Sequence, residues 1–128
     1  MTTQQTPDYD AIVIGAGFAG LAAIHYLREA GLSLRVFDRA SDIGGTWTWN
    51  RYPGAMTDSE SYYYCLTFSK ECLQEWSWSQ RYPEWQETHA YFHFVAEKCD
   101  MMRDIQLNTE IVSADYQKAL AKYGHYLD

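Results

Sequence analysis

Apolar positions crowd into short runs near the start of the chain and into one helical stripe in its second half, with turn-forming residues between them. Ala11-Ile12-Val13-Ile14 is an unbroken apolar run of strand length. Leu32, Leu34 and Val36 alternate with Ser33 and Arg35 as a second strand does, and the run ends in Phe37-Asp38. Between the two, Leu21, Ile24 and Leu27 recur at helical spacing and Gly31 stands where a helix C-terminus favours positive φ, which predicts a helix from about Gly17 to Ala30. Trp85, His89, Phe92, Ala96 and Cys99 form the expected core stripe of a later helix, with Pro83 at its first position and Glu84 and Glu87 in its first turn. Lys70 to Trp78 is expected as a short helix or irregular segment in which Leu73, Trp76 and Trp78 pack. After a turn over Met101 to Asp104, Ile105 to Asn108 reads as the third strand and Glu110 to Tyr116 as a strand or extended segment. The fold class this predicts is α/β, a Rossmann-like parallel sheet built on a βαβ dinucleotide-binding unit.

The turn between first strand and first helix is Gly15-Ala16-Gly17-Phe18-Ala19-Gly20, a Gly-x-Gly-x-x-Gly pattern. Gly15 allows the tight turn, Gly17 a close approach of backbone to a pyrophosphate, and Gly20 close packing of helix on strand, so a side chain at any of the three is expected to obstruct. The helix N-terminus offers its free N–H groups to the anion. Asp38 comes 18 residues after Gly20, close to the roughly 20-residue offset at which a carboxylate binds the ribose. A carboxylate there repels a 2′-phosphate and suits FAD or NAD better than NADP, although Arg39 next to it pulls the other way. The bland alternative is a βαβ unit with an incidental glycine turn.

The segment after the second strand separates FAD from NAD. Gly44-Gly45 is a second glycine pair, and Thr46-Trp47-Thr48-Trp49-Asn50-Arg51-Tyr52-Pro53-Gly54 interleaves aromatic rings with hydroxyls. A glycine pair permits backbone approach to another part of the same cofactor, and Trp47 and Trp49 are suited to wall a flat ring system. This stretch reads as the flavin side of an FAD site, or else as an aromatic core loop.

The run Gly-Gly-Thr-Trp-x-Trp-Asn-Arg-Tyr-Pro-Gly-Ala from Gly44, then Asp58-x-Glu60-Ser61-x-x-Tyr64, Phe68-Ser69, Gln74-Glu75-Trp76-x-Trp78 and Arg81-Tyr82, resembles the N-terminal part of Baeyer–Villiger monooxygenases of the cyclohexanone and phenylacetone type. The likeness covers about residues 9 to 116. It implies that Gly15, Gly17, Phe18, Ala19 and Gly20 hold the pyrophosphate and Asp38 the adenosine ribose. It further implies that Gly45, Thr46, Trp47 and Trp49 line the flavin side, that Asp58 and Tyr64 stand beside the flavin, and that the backbone at Ile111 contacts adenine. In the family the residue at Asp58 pairs with an active-site arginine, which makes Asp58 the catalytic candidate; that arginine belongs to a part of the family chain not found here. Ala55-Met56-Thr57-Asp58 stands in place of the family's Ala-Arg-Cys-Asp, and Glu84-Trp85-Gln86-Glu87 in place of Ser-Gln-Pro-Glu. Apart from the resemblance, Thr57-x-x-Glu60 also reads as a capping box that starts a helix.

The implied cofactor is FAD, with NADPH as co-substrate of a whole enzyme that uses oxygen to convert a ketone to an ester or lactone. After Gly54 the one glycine is Gly124, so a second dinucleotide fingerprint for NADPH is missing from this sequence. The expected organisation is a polar N-terminal arm (1–10), a partial FAD-binding domain (11–116) and a divergent C-terminal tail (117–128). The functional reading is the FAD-binding part of a ketone-oxygenating enzyme. Its alternatives are a catalytically silent FAD-binding remnant, one part of a split enzyme completed by a complementary polypeptide, and an S- or N-oxygenating flavin monooxygenase. With its fourth strand missing, the first strand is expected to form an edge and to invite association.

The remaining residues change this picture little. His89 and His93 are one helical turn apart but lack the glutamate of the zinc-protease pattern and an evident third ligand, so no metal site is expected. Cys65, Cys72 and Cys99 have no paired metal spacing and read as thiols of a reducing compartment. The start Met1 to Asp10 lacks a basic apolar leader and no run approaches a membrane span. The expected location is cytoplasmic. A net charge of −7 argues against nucleic acid.

Overall fold

The structure is a computed structural model that describes residues 6–116. The first half of the polar arm and the tail 117–128 lie outside the described residues. Strand β1 (Ala11–Ile14) leads into helix α1 (Phe18–Glu29), which returns the chain to strand β2 (Leu34–Phe37). The two strands run parallel in the register Ala11 to Leu34 through Ile14 to Phe37. Strand β3 (Ile105–Gln106) adds in parallel to the other side of β2, with Val36 opposite Ile105. The order β1-β2-β3 makes β2 central and leaves β1 at an edge. Ile12 and Ile14 on β1 are 48% and 66% exposed, an apolar face with no cover among the described residues.

Helix α1 ends as Gly31 predicts. Gly31 has φ 74°, its N–H reaches Arg28 O at 2.9 Å and Leu32 N–H reaches Leu27 O at 3.1 Å, the two bonds of a Schellman cap. Between β2 and the next long helix lie a single turn, α2 (Thr46–Trp49), and a short helix, α3 (Lys70–Glu75), whose N-cap Ser69 accepts from Cys72 N–H. Helix α4 (Trp85–Lys98) ends like α1 but without a glycine: Asp100 takes φ 49°, with Asp100 N–H on Glu97 O and Met101 N–H on Ala96 O. The core joins Leu21 and Ile24 of α1, Val36 of β2, Ile43, and Phe92, Val95 and Ala96 of α4. Arg28 ties α1 to the far end of α4, donating to Cys99 O, Asp100 O and the Asp104 carboxylate at 2.6–2.9 Å.

Several expectations shift. Pro83 does not open α4; Glu84 is the N-cap and Pro83 precedes it. The buried face of α4 is Thr88, Tyr91, Phe92, Val95 and Ala96, so the stripe is rotated and Trp85, His89 and Cys99 flank the core. Thr46–Trp49 of the aromatic run after Gly45 form a helical turn, and Asn50 to Gly54 continue it as loop and turn. Leu73 is exposed, whereas Trp76 and Trp78 pack with Tyr91. The third strand stops at Gln106, because Asn108 turns away at φ 53°, and Glu110 to Tyr116 forms no strand. The capping-box reading of Thr57 fails as well: Thr57 Oγ1 donates to Ser59 O, Glu60 pairs with Arg81, and no helix begins there.

Tyr91 anchors the segment before α3. Its buried hydroxyl accepts from Leu66 N–H at 2.7 Å, and burial pushes the phenol up to about 12. Tyr91→Phe leaves that N–H unpaired and is expected to cost about 1–3 kcal/mol. A phenol whose pKa is raised on folding contributes stability below the unfolded value near 10 and loses it as pH rises toward 12. Urea denaturation of both proteins checks this: the gap present at neutral pH should narrow between pH 10 and 12, and a constant gap would contradict it.

Candidate functional site

The site begins where β1 ends. Gly15 takes φ 104° and turns the chain, donating its N–H to Phe37 O at 2.8 Å. A Cβ on Gly15 would meet nothing within 4 Å, so the backbone angle and not crowding by protein reserves the position for glycine. Gly20 is the opposite case: its Cβ would lie 2.1 Å from Gly15 O, which sets how closely α1 packs against the strand end. Gly17, the N-cap of α1, has no side-chain cap bond, and the first turn carries no acidic residue. The first-turn N–H groups are therefore free of a competing local carboxylate.

The two glycine turns, separate in sequence, touch. A Cβ on Gly45 would stand 3.1 Å from Gly17 Cα, and Gly44 N–H donates to Ala16 O at 2.9 Å. Gly45 at φ 55° and Gly44 at φ 122° hold this approach. Asp38 locks the same turn from the other side: its Oδ2 accepts from Ala16 N–H at 2.8 Å and its Oδ1 from Ala40 N–H at 2.9 Å. Each carboxylate oxygen keeps a second lone pair for a ligand hydroxyl.

Two cavities open on this frame, of about 250 and 290 Å³, each near the low end of ordinary ligand sites. The first is lined by Gly15, Gly17, Phe18, Ala19, Gly20, Gly45, Thr46, Trp47 and Tyr64, together with Ile14, Gly44 and Phe92. In the second, Asp38 and Ile111 face Arg39, Thr109 and Glu110. Ile14 and Gly15 line both, so the two meet at the end of β1. Trp47 Nε1 donates to Tyr64 Oη at 3.0 Å, and the Phe18 and Tyr64 rings lie 5.0 Å apart, which fixes the aromatic wall of the first.

Trp49 and Asp58 line neither cavity. Trp49 is 59% exposed with the Arg39 guanidinium over its ring, and Asp58 is exposed on the loop after Thr57. Sequence reasoning missed Ile14, Phe37, Phe92, Thr109 and Glu110 as lining residues. Ile14 and Phe92 carry only an apolar pattern and Thr109 carries none, so no local signal separates them from core or loop.

A family model for the NAD(P)-binding Rossmann-like domain matches residues 13–90. The chain belongs to that family. Among Rossmann-like relatives, acetone monooxygenase (methyl acetate-forming) from Gordonia sp. strain TY-5 is 50% identical over 88% of this chain and 21% of its own length. Phenazine N-monooxygenase from Lysobacter antibioticus is 48% identical over 86% of this chain and 20% of its own. A solved structure, oxidized steroid monooxygenase bound to NADP, superposes with a TM-score of 0.84 at 49% identity, covering 87% of this chain and 21% of that one. The likeness to the N-terminal part of Baeyer–Villiger monooxygenases thus holds in sequence and in fold. This Rossmann-like chain spans about one fifth of the length of the relatives it matches.

Proposed function

We propose that the groove joined at Gly15 binds FAD in extended form, and that the chain supplies the FAD-binding part of a monooxygenase acting on ketones. The observation that carries this reading is that two neighbouring cavities share Ile14 and Gly15 in their walls. An extended dinucleotide needs an adenosine end, a phosphate turn and a ring end in one line. Asp38, with Thr109 and Ile111 beside it, would hold the adenosine. The N–H groups at the start of α1 would take the pyrophosphate, and Trp47, Thr46 and Tyr64 would flank the isoalloxazine. When bound there and reduced by NADPH, a flavin would supply the activation of oxygen needed to convert a ketone to an ester. The residues of this chain bind and orient the cofactor and shield its ring. Asp58 acts in this reading as a partner for a group outside the chain, which suits its exposure.

The division into arm, partial domain over 11–116 and tail belongs to the same proposal. So does a complementary polypeptide, which would cover the exposed Ile12 and Ile14 along the β1 edge. No helix among the described residues is long and apolar enough to cross a membrane. A cytoplasmic location fits Cys65, Cys72 and Cys99 standing as free thiols. A second reading, oxygenation at nitrogen, draws on the likeness to the phenazine N-monooxygenase.

Titration of the protein with FAD and with NADPH, followed by flavin fluorescence and calorimetry, tests the proposal. FAD should bind more tightly, and Asp38→Ala should weaken it, losing both the ribose contact and the clamp on Ala16. A charge-assisted hydrogen bond is worth about 1.5–3 kcal/mol, so the loss in affinity should be roughly 10- to 150-fold. Tighter binding of NADPH than of FAD would overturn the assignment.

A further inference from the structure

We propose that Asp42, His89 and His93 form a binding site for one divalent metal ion of the zinc class. The two histidines stand one turn apart on α4, which directs both rings to one side of the helix. Their spacing alone lacks a third ligand, and the fold supplies one from a distant part of the chain. Asp42, in the loop between β2 and α2, lies with Oδ1 2.9 Å from His93 Nε2 and Oδ2 3.0 Å from His89 Nε2. One ligand atom from each of the three residues falls within 4.8 Å of the others. Zinc bonds of about 2.0–2.2 Å to nitrogen and oxygen need donors a little over 3 Å apart in a tetrahedron, so small side-chain rotations would seat an ion among them.

A second observation points to a ligand. His89 Nε2 is buried and makes no hydrogen bond among the described residues, although Asp42 Oδ2 is near it. A simple ion pair would have aligned that nitrogen with the carboxylate; a shared cation satisfies it without an N–H donor. The His89 ring passes close to Gly44, where an added Cβ would meet His89 Cδ2 at 3.1 Å. His93 is about one third exposed and Asp42 slightly less, so the fourth coordination position opens to water. Arg51 is occupied by other partners, its Nε donating to Thr48 O and its guanidinium lying over the Trp85 ring. The expected site is two imidazoles, one carboxylate and one water, closing the loop before α2 against the middle of α4.

Cobalt(II) and zinc titrations of the untagged protein test this. One equivalent of cobalt should produce the visible absorption of a four- or five-coordinate site, zinc should displace it, and zinc should raise the melting temperature in an EDTA-reversible way. His93→Gln, at a partly exposed position, and Asp42→Asn should each weaken binding by at least about tenfold, the lower bound for losing even an outer partner of a bound metal. The Cys72→Ser and Cys99→Ser double variant should leave binding unchanged, which separates this site from the thiol pair 4.0 Å apart. Absence of a cobalt spectrum at millimolar metal would overturn the proposal. So would binding that survives His93→Gln in a protein whose circular dichroism is native.

Discussion

Gly20→Ala is expected to unfold the domain or to lower its melting temperature by roughly 10 °C or more. The Cβ of alanine would stand 2.1 Å from Gly15 O and 3.0 Å from Gly15 C, both backbone atoms that cannot rotate away. Relief requires α1 to move off β1, which opens the contacts of Leu21 and Ile24 with the sheet. Ordinary overpacking costs about 1–3 kcal/mol, and a clash with fixed backbone exceeds it. Gly31→Ala supplies the comparison. Its Cβ meets nothing within 4 Å, and the penalty is only that of holding φ 74°, about 1–2 kcal/mol. Thermal melts followed by circular dichroism should rank Gly20→Ala far below Gly31→Ala; equal losses would show that the close helix–strand contact at Gly20 relaxes at no greater cost than the left-handed angle at Gly31.

Gly17→Ala should leave the fold nearly intact and weaken FAD binding by at least about tenfold, with Gly17→Val abolishing it. Gly17 has φ −90°, an angle open to any residue, and an added Cβ would touch Gly45 Cα at 3.4 Å, at the near edge of ordinary contact. The protein therefore accommodates the methyl group. The groove does not, because Gly17 lines the first cavity beside Phe18 and Gly45. Paired melts and flavin titrations decide it. A native melt with unchanged FAD affinity would remove Gly17 from the phosphate turn, whereas a collapsed melt would assign the residue to folding alone.

The contrast between these glycines shows how far local pattern reaches. The order strand, turn, helix and strand, the glycine fingerprint and the end of α1 at Gly31 are all legible from neighbouring residues, because backbone angle and hydrophobic period are properties of a few consecutive positions. Asp38 is legible for a related reason: the length of one βα unit fixes where the second strand ends. The rotation of α4 is harder to read, since Trp85 and His89 fit an apolar or aromatic stripe as well as Thr88 and Tyr91 do. Packing into the one core cluster that α4 shares with α1, β2 and Ile43 selects the buried face. Asp100 likewise takes a left-handed cap that sequence assigns by preference to glycine.

Contacts between distant segments are not written in any one of them. Gly17 meets Gly45, Ala16 N–H meets the Asp38 carboxylate, and Ile14 and Gly15 line two cavities whose other walls come from different segments of the chain. The same holds for Asp42. In sequence it is a loop carboxylate before a glycine pair, and His89 and His93 are a pair without a third ligand. The parallel β1-β2-β3 order and the return of α4 against the loop after β2 place the three together. Periodicity and turn chemistry specify which elements form because they act over a few residues. Which side chains meet is decided by the closing of the core over separations that no local preference spans.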